Sequence, residues 1–347
     1  MAVLGTTALT YADWAKRMED GYKTASIVEL LSQTNEILQD MLVLEGNLPT
    51  GHKTTVRTGL PQATWRLLNY GVPNGKSTTA QIVDTCGNLE AFAAIDKDIA
   101  DLNGNTSSFR LSETHAFLEG MNQQFSTTLF YGNVGVNPER FHGLAPRYNT
   151  VTAANSGTAA NVIDMGGTGS TNTSIWIVTW GSDTTHGIFP KGKTTGLQHD
   201  DMGVWPVQDV NGNTYLAYRD HYKWECGLSV RDWRYNARLA NIDVTLLNGG
   251  SAANIINGLV RALYRLPTTS AGTAAVQTSD ADGVSGSMGR TVIYCNRTVR
   301  TYLDLQAMNK TNVMLSLTEF NGQVITAFRG IPIRTCDAIL NTEARVV

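Results

Sequence analysis

Between Thr50 and Val83 the chain carries four cations, Lys53, Arg57, Arg66 and Lys76, and not one carboxylate. Strand-like runs stand at Thr54 to Arg57, Ala63 to Leu67 and Thr78 to Val83, and the turn residues Pro73-Asn74-Gly75 precede the last of them. The pattern predicts a long, basic, two-stranded ribbon. Such a ribbon is marginal alone in water. With few large apolar residues of its own, it must rest on its own domain or on a neighbouring molecule.

The flanking segments differ in sign and period. Residues 1 to 45 hold seven carboxylates against three cations. There Ile27, Leu30, Leu31, Ile37, Leu38, Met41 and Leu44 recur at helical spacing, until Gly46, Pro49 and Gly51 break the pattern. A helix is expected again over Leu89 to Leu102, ended by Asn103-Gly104-Asn105. The longest amphipathic helix is expected over Leu111 to Tyr131, with Leu111, Leu118, Met121, Phe125 and Leu129 on one face and Gly132 as terminator. Beyond it the chain turns β-rich, with strands at Ser174 to Trp180, Thr214 to Tyr218, Trp224 to Val230 and Ile242 to Leu247. Helices return at Ala253 to Tyr264 and Thr298 to Met308; two strands flank Gly330 between Gln323 and Ile333, and Ala338 to Val347 offers a last one. This non-alternating order argues for an α+β fold and not a doubly wound sheet. Two glycine-rich polar stretches, Thr152 to Thr173 and Thr268 to Gly289, read as long loops.

Composition narrows the function. At 347 residues the chain has material for a sizeable core, yet only 16% of it is charged, below the ~25% usual for soluble domains. An uncharged surface that ends up covered fits this profile, as does a β-rich secreted protein with polar loops. A net charge of -3 gives no basic footprint for specific DNA binding. The four cysteines lie far apart without a Cys-x-x-Cys pair, so reduced, mostly buried thiols are expected in place of a zinc or redox site. No basic, apolar leader or bilayer-length apolar run is evident, so a soluble protein, cytoplasmic when made, is expected.

Catalytic signatures are missing. Gly75-Lys76-Ser77 has Tyr70 where a phosphate-binding loop needs glycine, and Gly167-Thr168-Gly169 has Asn172 in place of the third glycine of a dinucleotide fingerprint. No Gly-x-Ser-x-Gly occurs, and the six histidines include no His-x-x-x-His pair. His186 with Asp183, and His199 with Asp200 and Asp201, are the clusters a β-rich hydrolase could use, although solvated loop residues explain them more simply. Arg231-Asp232-Trp233-Arg234-Tyr235 could stack on bases; a strand packing its aromatics into a core is the simpler reading. No cofactor is expected.

Several stretches occur together in one order: Ala12-Asp13-Trp14-Ala15-Lys16-Arg17-Met18, Asn47-Leu48-Pro49-Thr50-Gly51-His52, Trp65-Arg66-Leu67-Leu68-Asn69-Tyr70-Gly71, Leu102-Asn103-Gly104-Asn105, Phe141-His142-Gly143-Leu144-Ala145-Pro146-Arg147-Tyr148 and Phe328-Arg329-Gly330-Ile331-Pro332-Ile333. This order resembles major capsid proteins of short-tailed bacteriophages. The resemblance implies the Hong Kong ninety-seven capsid fold. Its parts would be an N-terminal arm (1–45), an extended loop (46–88), a mainly peripheral domain (89–247) with a spine helix over 111–131 and a β-rich insertion, a mainly axial domain (248–320) and closing strands (321–347).

The implied function is to self-assemble, as pentamers and hexamers, into an icosahedral shell around double-stranded DNA held without sequence-specific binding. A separate scaffolding protein, a portal protein and an optional decoration protein would be partners, and no membrane is involved. An encapsulin-type compartment shell is the alternative within the fold. Lys53, Arg57, Arg66 and Lys76 of the ribbon and Glu36 and Asp40 of the arm are the candidate inter-subunit contacts, because their charges are complementary. Gly46, Gly51, Gly71 and Gly104 are candidate hinges that would let one chain fill different shell positions. Some members of the family it resembles crosslink an extended-loop Lys to an Asn of another subunit; Lys53 and Lys76 lie in that loop, but no partner Asn or catalytic Glu can be matched, so crosslinking is not expected.

Overall fold

A computed structural model describes residues 9, 13, 18–19, 23–24, 32–104, 106–152, 156–209, 211–247, 254–267, 289–308, 315–320 and 323–347. The polar stretch expected to be a loop over Thr268 to Gly289, except Gly289 itself, and most of the arm helix expected before Ser32 lie outside the described residues. The strands are β1 Met18–Glu19, β2 Lys23–Thr24, β3 Val43–Glu45, β4 Gly51–Gly59, β5 Thr78–Asp96, β6 Val162–Asp164, β7 Asn172–Trp180 and β8 Thr185–Phe189. They continue with β9 Leu197–Gln208, β10 Thr214–Val230, β11 Ala237–Asp243, β12 Arg290–Cys295, β13 Leu315–Phe320, β14 Gln323–Phe328 and β15 Ile331–Thr335. The helices are α1 Ile37–Asp40, α2 Lys97–Ala100, α3 Thr106–Tyr131, α4 Ile255–Leu263 and α5 Arg297–Met308. Helices and a mostly antiparallel sheet in this order make the fold α+β.

The chain divides into two compact units, and β5, α3 and β10 each contribute to both. Unit one comprises residues 1–35, 88–127 and 196–225. Its framework is the antiparallel hairpin β9–β10, whose tip is tied by Asp209 Oδ1 accepting from the backbone N–H groups of Asn211 and Asn213 at 2.8 Å each. Helix α3 lays an apolar stripe on this unit: Phe109, Met121 and Phe125 are buried, and Phe125 stacks on Trp224 with ring centroids 4.3 Å apart. Leu111, expected on that stripe, is instead 59% exposed, because no element among the described residues packs over the helix there.

Unit two comprises residues 36–87, 128–195 and 226–347. All nine residues of β7 are buried, and the strand pairs with β11, β12 and β8. On its core face Ile175 and Ile177 meet Leu259 and Ala262 of α4 and Val299 and Leu303 of α5, so two helices cover one side of the sheet. The β-branched run Ile175 to Val178 fits this central position. A buried ion pair, Arg238 to Glu343 at 2.8 Å, holds the closing segment, with Ser174 and Tyr131 donating to the same carboxylate.

Several local expectations are corrected. The helix expected over Leu89 to Leu102 is strand as far as Asp96, with alternating burial; pairing with β10 overrides the helix-forming residues there. Only the short α2 and a single 3-10 turn at Leu102–Gly104 are helical. The arm helix, where described, is reduced to α1, and Val43–Glu45 pairs in parallel with β8. Ala63 to Leu67 forms no strand, since no partner flanks it among the described residues, and Trp233–Tyr235 is a 3-10 turn with Trp233 at the surface. Ala338 to Val347 makes only an isolated bridge, between Glu343 and Asn172.

Candidate assembly interface

Strands β4 and β5 pair in antiparallel register from Gly51 opposite Thr85 to Gly59 opposite Thr78, so the ribbon expected between Thr50 and Val83 is formed. Between them residues 60–77 run without regular structure apart from one turn, closed by Tyr70 N–H donating to Leu67 O at 3.2 Å. Asn69 takes φ 69° at its third position, a conformation asparagine tolerates well.

The root of the ribbon is clamped. Asn47 exchanges two hydrogen bonds of 2.7 Å with the Lys53 backbone. The buried carboxylate of Asp84 accepts from Arg147 Nη2 at 2.7 Å and from Ser229 Oγ at 2.9 Å. Gly46 and Gly51 belong to this packing. A Cβ on Gly51 would fall 2.0 Å from Asp84 O, and one on Gly46 would fall 2.4 Å from Gly51 O. Gly71 stands in open space in the exposed tip, and Gly104 takes φ 68° just before α3.

Away from the root the ribbon is exposed, every residue from 60 to 83 being at the surface among the described residues. Trp65 is 101% exposed, and Leu60, Leu67, Leu68 and Tyr70 are each more than 70% exposed. Lys53, Arg57, Arg66 and Lys76 are all exposed, and none has an ion-pair partner among the described residues. The structure therefore brings these four cations onto one unsupported element. The apolar tip was the part that sequence reasoning missed, although Trp65-Arg66-Leu67-Leu68 was the available signal.

The two arm candidates sit elsewhere. Asp40 is engaged inside unit two, its side chain 1% exposed and bridged to Arg290 at 3.0 Å and Arg334 at 3.4 Å, with Tyr294 OH donating to it at 3.1 Å. Glu36 pairs with Arg334 at 3.5 Å. Nor do the histidine clusters assemble a hydrolytic site. His186 is buried, with Nδ1 unpartnered and its pKa pushed down to about 4 by burial and neighbouring positive charge. His199 Nε2 lies 3.0 Å from Asp220 Oδ1, while its ring stacks on Tyr222 and Asp220 itself bridges to Arg110 at 2.8 Å. Among the described residues no group of three or more His, Cys, Asp or Glu side chains could hold a metal ion.

The ribbon of unit two is thus clamped at its root and exposed at its apolar tip, and comparison with known proteins shows the family to which the chain belongs. Residues 19–347 match the family described as major capsid protein GP7. No curated protein matches. Among solved structures, the chain is similar to one of bacteriophage Epsilon15, with 37% identity, 100% of this chain and 99% of that one covered, and a TM-score of 0.75. The bacteriophage JBD30 capsid matches at 10% identity over 92% and 95% of the two chains with a TM-score of 0.44. An encapsulin complex from Synechococcus elongatus matches at 13% identity over 64% and 93% with a TM-score of 0.38.

The fold is thus that of the phage capsid shell subunits, the Hong Kong ninety-seven class. The chain belongs to the GP7 major capsid protein family, and it forms the icosahedral shell of a tailed phage as part of the virion.

Proposed function

We propose that the ribbon is the element by which one subunit grips the next as pentamers and hexamers form, and that the protein works by this assembly and not by catalysis. The observation that carries the reading is the tip: large apolar side chains there are almost fully exposed beside cations that have no ion-pair partner among the described residues. Exposed apolar patches of this kind mark contact sites. Acidic surface on a neighbouring copy would complete them, since Asp40 and Glu36 are engaged within their own chain. In this reading residues 46–88 serve as the extended loop and residues 111–131 of α3 as the spine helix. A separate scaffolding protein, a portal protein and an optional decoration protein act with the shell during assembly in the host cytoplasm. The shell surrounds double-stranded DNA without sequence-specific contacts, consistent with the net charge of -3.

Electron microscopy of the purified protein tests this reading. Closed shells, tubes or ring-shaped capsomers are expected, and deletion of residues 62–72 should abolish them while leaving a folded subunit. A uniform monomer that turns over a substrate would overturn the proposal.

A further inference from the structure

Three of the six histidines, His52, His142 and His186, lie within electrostatic reach of one buried carboxylate, Asp84, at the root of the ribbon. Strands β8, β10, β5 and β4 are consecutive neighbours there, and each places one polar residue in a row. His186 stands opposite Ser229, Ser229 donates to Asp84, and Asp84 stands opposite His52. The two ends of the row meet. The rings of His52 and His186 touch edge to face with centroids 5.6 Å apart, so the sheet curls around its own polar row.

The charges around this row are balanced without the histidines. Arg147 pairs with Asp84 and donates further to the carbonyls of His142 and Leu228 at 3.2 Å each. Arg231 acts on both rings and is itself paired with Asp183 at 2.8 Å. Of the charged groups, Asp84 and Arg231 act on the pair directly; Arg147 and Asp183 are their respective ion-pair partners, and His142 shares the field of Asp84 and Arg147. Asp84 draws a proton toward both rings, and a backbone hydrogen bond with Gly181 does so at His186. Asp84 already accepts two hydrogen bonds, and His186 keeps a buried Nδ1 with no partner at all.

We propose that this cluster makes the root of the ribbon an acid-sensitive joint: proton uptake by His52 and His186 sets imidazolium charge beside Arg231 and releases the clamp on β4 and β5. The device belongs to the folded subunit and does not depend on what the ribbon grips.

The direction follows from linkage. Burial and the positive charge of Arg231 hold His52 below its usual 6.5, and burial, His52 and Arg231 hold His186 down at about 4. The opened root binds these protons first as pH falls. The grip is therefore complete above about pH 6.5 and is lost progressively toward about pH 4.

Hydrogen exchange by mass spectrometry on the full-length protein tests the joint. After correction for intrinsic rates, amides of Gly51 to Thr54 and Ile82 to Cys86 should lose protection roughly tenfold or more between about pH 7 and about pH 4.5, while those of β7 hold steady. The variant His186→Gln, which takes up no proton, should blunt the loss, and His199→Gln should leave it unchanged. Should His186→Gln fail to fold, histidine C2 exchange in the unaltered protein decides, with His186 expected to titrate far below 6.5. A flat profile at the ribbon root, an equal loss in His186→Gln, or an ordinary titration of His186 would each overturn the proposal.

Discussion

The carboxylate of Glu343 accepts from Tyr131, Ser174 and Arg238, and Arg238 in turn lies over the Trp176 ring at 4.8 Å and donates to Tyr148 O. Both members of the ion pair are 5% exposed in their side chains, so neither can fall back on water. Glu343→Gln should cost about 3–5 kcal/mol, because it leaves the guanidinium buried without its counter-charge. Replacing both partners by Met should cost much less, and urea midpoints of the two variants decide. Phe125 belongs to a simpler class: it is 1% exposed against Trp224, and Phe125→Ala should cost about 3–5 kcal/mol through lost burial and a cavity. An unchanged melting temperature would contradict that packing. Phe125 was legible because helical spacing marks a buried face, whereas Asp84, Arg147 and Ser229 come from three distant stretches with no pattern to join them.

Among the elements, the ribbon and α3 could be read from the chain, since each announces itself locally by charge or by period. β5 could not be read in full. Its first half, Thr78 to Val83, is rich in strand-forming residues, but Leu89 to Ile95 contains good helix formers and is strand only because β10 lies beside it. The ribbon also carries the sharpest prediction at this scale. Arg57→Glu with Arg66→Glu changes two exposed side chains that have no ion-pair partner among the described residues, so folding stability should move by about 0.5 kcal/mol or less. Shell formation should nevertheless fail or slow, because complementary charge steers encounter and fixes register between subunits. Sedimentation profiles of mutant and wild type that superimpose would return the ribbon to an ordinary hairpin.

At the scale of the whole molecule the modest net charge conceals a segregation. Unit one carries fifteen carboxylates against seven Lys and Arg, and unit two carries fifteen against twenty. The ribbon's four cations belong to the basic unit, so copies of this chain offer one another opposite signs. Assembly of the unaltered protein should weaken as salt rises, since exposed charges are screened beyond about 8–10 Å near physiological ionic strength. Equal shell yields across a salt series would show that apolar contacts at the tip suffice.

The chain by itself determined the α+β class, the basic ribbon, the long helix and the capsid resemblance, because these follow from local charge, period and the order of short motifs. Tertiary structure alone decided that Asp40 faces inward to Arg290 and Arg334, and that Leu89 to Ile95 is strand. It alone set His52, Asp84, Ser229 and His186 in one row. In each case the partner lies far along the chain, and burial and pairing energies that no local window contains outweigh the preference of the residue itself.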